Sequence, residues 1–145
     1  MTVQNGPELT TSWIEEPPME LNIPEVVAEV RAAFLRYQHA VDTNDVETMN
    51  ELFWTSPFTV RFGPNGTLIG HDAIANYRQT RTATAEPRTL RNTVITTFGR
   101  DFATASTLFH RATSPGKVGR QQQSWARFDD GWHIVAAHVS VIDGT

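Results

Sequence analysis

An α+β fold is predicted for this 145-residue chain, with a long antiparallel sheet curled around helices that precede it. Three features predict it. One amphipathic stripe runs through residues 24–43. Four long alternating segments follow between residues 88 and 142, and each is divided from the next by a short turn bearing Gly or Asp. Helices first and a strand meander afterwards is the order of an α+β domain, not of repeated β–α–β units.

Residues 1–21 are polar and proline-bearing, with Trp13 and Ile14 as their large apolar pair. They are expected to form a partly flexible arm that docks through Trp13, ahead of one domain over residues 22–145. Pro24 suits a first helical position, where its missing N–H has no partner to lose. Val26, Val30, Ala33, Phe34, Tyr37 and Val41 then recur at spacings of three and four, making one apolar face. Glu25, Glu29, Arg36 and His39 fall on the other side. This helix is expected to end near Thr43. Asn44, with Glu47 three residues on, has the form of a capping box for a short second helix, which turns Met49, Leu52 and Phe53 inward. Pro57 closes that segment and a strand follows to Gly63. Gly63-Pro64-Asn65-Gly66 is a turn, and Thr67–Ile69 returns.

Asp72 is placed to cap a third helix reaching about Ala83, with Ile74, Tyr77, Arg78 and Arg81 on one side. Strands are expected at 88–98, 102–113, 118–128 and 132–142. Turns as short as Gly99-Arg100-Asp101 and Asp129-Asp130-Gly131 make neighbours antiparallel.

Composition excludes several function classes. There are no cysteines, which removes thiol catalysis, thiolate metal sites and disulfides. Net charge is −4 without a basic tract, so phosphate-driven nucleic-acid binding is not expected. No apolar run reaches membrane-spanning length, and the first residues lack the pattern of a signal peptide; a cytoplasmic protein is expected. No GxGxxG, Walker-type, HExxH or GxSxG pattern occurs, and neither cofactor nor metal is expected. Acids crowd the first 51 residues, whereas the middle carries Arg61, Arg78, Arg81, Arg88, Arg91, Arg100, Arg111 and Arg120. Lys117 is the one lysine. Arginine is the residue suited to bidentate carboxylate recognition.

Two residues stand out as candidates for chemistry. Tyr37 shares the apolar stripe with Phe34 and Val41, either as a core tyrosine bonded at the rim or as a pocket phenol. In Phe58-Thr59-Val60-Arg61-Phe62, alternation sets Thr59 and Arg61 opposite the aromatic face. Arg61 is an anion clamp if that face lines a cavity and a surface charge if it does not. On the last strand His138 and Ser140 share a parity with Ile134 and Ala136, and this polar-containing face is expected to line the cavity. The opposite face, with Val135, Ala137, Val139 and Val141, is expected to be an exterior apolar surface that pairs two copies into a homodimer. Gln121 and Gln123 alternate with Gln122, and glutamines turned into a cavity suit amide or ureido recognition. Arg78 and Arg81 follow Ile74 at helical spacing and can reach the pocket rim.

The segments Leu21-Asn22-Ile23-Pro24-Glu25-Val26, RYQHAVDTND, LFW, TVRFG, AIANYRQTR, GRQQQSW and GWHIVAAHVS, in this order, resemble the AtzH-like group of the NTF2-like (SnoaL-like) superfamily over residues 21–142. The resemblance implies a cone-shaped fold with an interior pocket, and dimers as in many relatives. It implies a cofactor-independent amidohydrolase, decarboxylating or not, acting on a small carboxylated urea such as 1,3-dicarboxyurea or an oxalurate-like compound. It also implies a place in ureide or s-triazine (cyanuric acid) nitrogen catabolism. Tyr37 and Arg61 match the group's proposed catalytic tyrosine and arginine. Gln122 departs from the smaller residue expected there, which bears on substrate choice. Arg61 would bind a carboxylate or stabilise negative charge, and would favour the Tyr37 phenolate as base or acid. Arg78, Arg81, Gln121, Gln123, His138 and Ser140 complete the expected substrate contacts. The alternative is a non-catalytic metabolite-binding or accessory protein for a partner amidase. An isomerase would need a pocket carboxylate, for which Asp42 stands too near the helix end.

Overall fold

The computed structural model describes residues 18–80 and 85–144. Helix α1 (Pro24–Thr43) buries Val26, Val30, Phe34 and Tyr37 of the face set out by the three-and-four spacing, leaves Ala33 and Val41 partly buried, and buries Gln38 and Ala40 besides. Asn44 ends it in the left-handed conformation (φ 54°, ψ 43°). That use as a C-terminal cap prevents Asn44 from starting the next helix. Asp45 caps α2 (Val46–Leu52) instead, accepting from the Thr48 N–H at 3.1 Å and from Thr48 Oγ1 at 2.7 Å.

Strands β1 (Val60–Gly63) and β2 (Gly66–Ile69) form a hairpin, α3 (His71–Thr80) follows, and then come β3 (Thr89–Phe98), β4 (Phe102–His110), β5 (Lys117–Phe128) and β6 (Gly131–Asp143). The order across the sheet is β2-β1-β6-β5-β4-β3. The expected antiparallel sheet is therefore corrected to a mixed one. The β1–β6 pair is parallel, with Val60 opposite Ala136 and Phe62 opposite His138, and α3 together with the four strands β2–β5 supplies the long connection that parallel neighbours need. The curved sheet wraps the helices. Ile23, Val26, Val30, Phe34, Tyr37, Phe53, Ile74, Trp125 and Ile134 form the core between them.

Residues 20–22 join the edge of the sheet. Leu21 bridges to Phe98, the Asn22 N–H donates to the Thr97 carbonyl at 3.0 Å, and the Thr97 N–H donates to Asn22 Oδ1 at 3.0 Å. Residues 20–22 thus cover part of the β3 edge. The expected docking of Trp13 lies outside the described residues.

One irregularity decides which way β6 faces. Ser124 pairs with Ala136 and Trp125 with Ile134, so Val135 has no residue opposite it. A bulge of this kind shifts side-chain parity by one. Ile134 stays inward, but Ala137, Val139 and Val141 now share its side, and Ala136, His138 and Ser140 turn outward. The expectation that His138 and Ser140 line the interior is thereby overturned. So is the expected exterior surface of valines, because Val139 and Val141 line the interior cavity. His138 and Ser140 instead border a groove on the outer face with Ser106, Arg120 and Gln122.

Candidate functional site

The cavity lies between α1, α3 and the concave side of the sheet, with a volume of about 450 Å³, within the roughly 300–1,000 Å³ of small-molecule sites. Its walls bring together Tyr37 from α1, Arg61 from β1, Arg78 from α3, Arg88 just before β3, Arg111 just after β4, and Gln121 from β5. Four guanidiniums therefore meet one carboxylate, Glu86, among the lining residues. That carboxylate accepts from Thr113 Oγ1 at 3.0 Å.

Tyr37 is buried, with its ring edge-on to Phe53 at 6.0 Å. Arg78 Nη2 donates to its hydroxyl at 3.4 Å. Burial alone would push the phenol up; the charges of Arg78, Arg61 and Arg88 outweigh it and hold Tyr37 below its ordinary value of 10.0. Arg78 is itself only 6% exposed. It stacks on Phe53 with Cζ 5.2 Å from the ring centroid and donates through Nη1 to Met49 Sδ at 3.2 Å. Its Nε is buried without a partner among the described residues.

Arg61 stands on the inward parity of β1, with Cζ 5.8 Å from the Tyr77 ring centroid. Gly63, two residues along the same face, makes room for it, since a Cβ there would meet Arg61 Nη1 at 2.8 Å. The strand begins at Val60 instead of Phe58, which is exposed, while Thr59 is buried and donates to the Trp54 carbonyl at 2.6 Å.

Arg88 is the member that strand alternation does not reveal. It is buried, donates through Nε to Gln38 Oε1 at 2.8 Å and through Nη2 to Gln121 Oε1 at 2.9 Å, and lies over Phe109 with Cζ 4.6 Å from the ring centroid. Desolvation lowers it to about 10, with Tyr37 opposing that shift, so it remains charged at neutral pH. Arg111 covers the same ring at 5.0 Å. The pairing of Thr89 with His110 brings Arg88 and Arg111 to one end of the β3–β4 ladder. That register is a long-range property, and the local sign of it is no more than an arginine at each strand end.

Of the residues expected to contact substrate, the structure gathers Tyr37, Arg61, Arg78 and Gln121 around one space. Gln123 points inward too, but deeper, where its Oε1 accepts from Trp125 Nε1 at 3.1 Å. His138 and Ser140 are on the other side of the sheet, and Arg81 lies outside the described residues. Asp42 is engaged at the helix end, accepting from Gln38 Nε2 at 3.0 Å and from the Arg88 N–H at 3.1 Å. Among the described residues no three His, Asp or Glu side chains converge as metal ligands could, and no helix is long and apolar enough to cross a membrane.

The AtzH-like family model matches residues 19–145. The chain belongs to the AtzH-like family. A cystatin-like fold protein from Burkholderia xenovorans is 49% identical, with a TM-score of 0.83 over 88% of this chain and 99% of that one. A protein of unknown function from Pectobacterium atrosepticum is 48% identical, with a TM-score of 0.81 over 85% of this chain and 95% of that one. A nuclear transport factor 2-like superfamily protein from Salmonella enterica is 26% identical, with a TM-score of 0.61 over 83% and 92%. No curated protein matches. This AtzH-like chain thus has the NTF2-like, cystatin-like α+β fold, a curved mixed sheet around N-terminal helices.

Proposed function

We propose that this AtzH-like protein binds a small carboxylated urea or amide, of the oxalurate or 1,3-dicarboxyurea kind, inside the arginine-lined cavity. One observation carries this reading: four guanidiniums from separate elements face a common space that holds a single carboxylate. Buried cations of like sign repel one another and are costly to desolvate. A ligand with one or two carboxylates offsets both costs and accepts charge-assisted hydrogen bonds. The urea or amide portion then meets Gln121 and the phenol. In a cell this would make the protein a carrier of such a metabolite, or an accessory to a partner amidase in the cytoplasm.

A second reading, hydrolysis, is favoured by the lowered pKa of Tyr37. Its phenolate would take a proton from water as the water oxygen adds to the carbonyl carbon. Arg61 and Arg78 would stabilise the oxyanion. The phenol would return the proton to the nitrogen as the C–N bond breaks, leaving an acid and an amine.

The test is calorimetric titration with oxalurate and freshly generated 1,3-dicarboxyurea, beside a chemical assay for their loss. Saturable binding is expected, weakened about tenfold to hundredfold in Arg61→Met and in Arg78→Met, as for loss of a charged hydrogen-bond partner. Absence of binding to the wild-type protein would overturn the proposal. Turnover that vanishes in Tyr37→Phe would establish the hydrolytic reading in place of simple carriage.

A further inference from the structure

The amide of Gln121 is locked in one polarity by groups behind it. Its side chain is 4% exposed and its Oε1 accepts from Arg88 Nη2 at 2.9 Å. A guanidinium has donors only, so the atom turned to Arg88 must be the oxygen. The nitrogen of the amide points elsewhere, and Nε2 is buried with no partner among the described residues. Gln121 lines the cavity. Arg88 is held in its turn. Its Nε donates to Gln38 Oε1 at 2.8 Å, Gln38 Nε2 donates to Asp42 Oδ1 at 3.0 Å, and the same oxygen accepts from the Arg88 backbone N–H at 3.1 Å. Each polarity follows from the one before. Asp42 Oδ1 already accepts from the Arg88 backbone N–H, so Gln38 turns its nitrogen to that acceptor and its oxygen to the Arg88 side chain. Arg88 only donates, so Gln121 turns its oxygen to Arg88.

We propose that the relay Asp42–Gln38–Arg88 positions Gln121 as a donor-only contact, so that the ligand must place a carboxylate or carbonyl oxygen against Gln121 Nε2. A group offering N–H at that position is rejected, because it would leave two donors facing each other in a desolvated place. Gln121 is thereby a specificity residue, and Gln38 and Arg88 are positioning residues that act through it. The inference rests on the ligand-binding reading above and adds to it the chemical class accepted at one wall.

Gln121→Glu separates this role from a merely structural one. Its carboxylate pairs with Arg88 through one oxygen and faces the cavity with the other, an acceptor where wild type has a donor. Two simple probes report the change: malonate, which offers oxygen acceptors at both ends, and β-alanine, which offers an acceptor at one end and an ammonium at the other. By calorimetry wild type should favour malonate, and in Gln121→Glu the malonate to β-alanine affinity ratio should fall by about tenfold or more. Its thermal midpoint should not fall, since Arg88 gains a countercharge. A ligand-free measurement accompanies this. The Arg88 Nε–H resonance should be protected from exchange in wild type and lose that protection in Gln38→Met. An unchanged ratio in a folded variant, with wild-type binding intact, overturns the relay and leaves the proposed function standing. No wild-type binding of malonate, oxalurate or 1,3-dicarboxyurea overturns both.

Discussion

Gly119 faces Phe109 directly across the β4–β5 ladder, and the phenyl ring lies over it. A Cβ added at Gly119 would stand 2.1 Å from Phe109 Cζ and 2.3 Å from both Cε atoms. An ordinary carbon contact is at least 3.4 Å, so the ring has to retreat by roughly 1.3 Å. Phe109 is 4% exposed and is covered by Arg88 and Arg111, at 4.6 and 5.0 Å from its centroid. The ring therefore cannot retreat without displacing two cations of the cavity wall. Overpacking of this kind costs about 1–3 kcal/mol. For a domain of this size that is a fall of roughly 3–10 °C in thermal midpoint. Gly119→Ala should show that fall by calorimetry, with a parallel loss of affinity for malonate. Phe109→Leu shortens the opposing side chain, so the double variant should recover about 1 kcal/mol or more relative to additivity. A Gly119→Ala midpoint equal to wild type, with additive behaviour in the double variant, would refute the packing of Phe109 on Gly119 as the support of Arg88.

Four other outcomes are expected. The chain has two tyrosines, Tyr37 and Tyr77, so ultraviolet titration of a Tyr77→Phe variant reads Tyr37 alone; its midpoint should lie below 10.0 and rise when Arg78→Met removes the largest charge that counters burial. Because ionisation of Tyr37 puts a negative charge in the cavity, carboxylate affinity should stay level below that midpoint and fall as pH rises through it, whereas affinity that holds through the midpoint would contradict a shared site. Removing the α2 cap in Asp45→Ala should cost about 1 kcal/mol, read as a thermal shift, with carboxylate affinity unchanged. Paired replacement of His138 and Ser140 by alanine should leave oxalurate affinity within about twofold of wild type, since both lie across the sheet from the cavity; a tenfold loss would put the binding site on the outer face.

What could be read from the sequence was what depends on local period. The three-and-four spacing places Tyr37 on the buried face of α1, and alternation sets Arg61 and Thr59 on one side of the chain, although only the sheet decides that this side faces the cavity. Both follow from neighbours a few residues away. The turns bearing Gly99, Gly116 and Gly131 mark the ends of strands for the same reason, and each adopts positive φ. Features set by pairing were not legible. The bulge at Val135 leaves no compositional mark, yet it reverses the parity of every later residue in β6 and exchanges His138 and Ser140 for Val139 and Val141. Arg88 and Arg111 become neighbours only through the β3–β4 register. The parallel β1–β6 contact joins segments far apart in the chain. At the α1–α2 junction, Asn44 and Asp45 both suit capping, and the left-handed turn at Asn44 decides between them.

The most direct test of the central claim is a crystal structure of the protein soaked with oxalurate. The account predicts the carboxylate between Arg61 and Arg78 beside the Tyr37 hydroxyl, with a ligand oxygen on Gln121 Nε2. Oxalurate seated in the outer groove by His138, or a cavity that takes up none at saturating concentration, would contradict it.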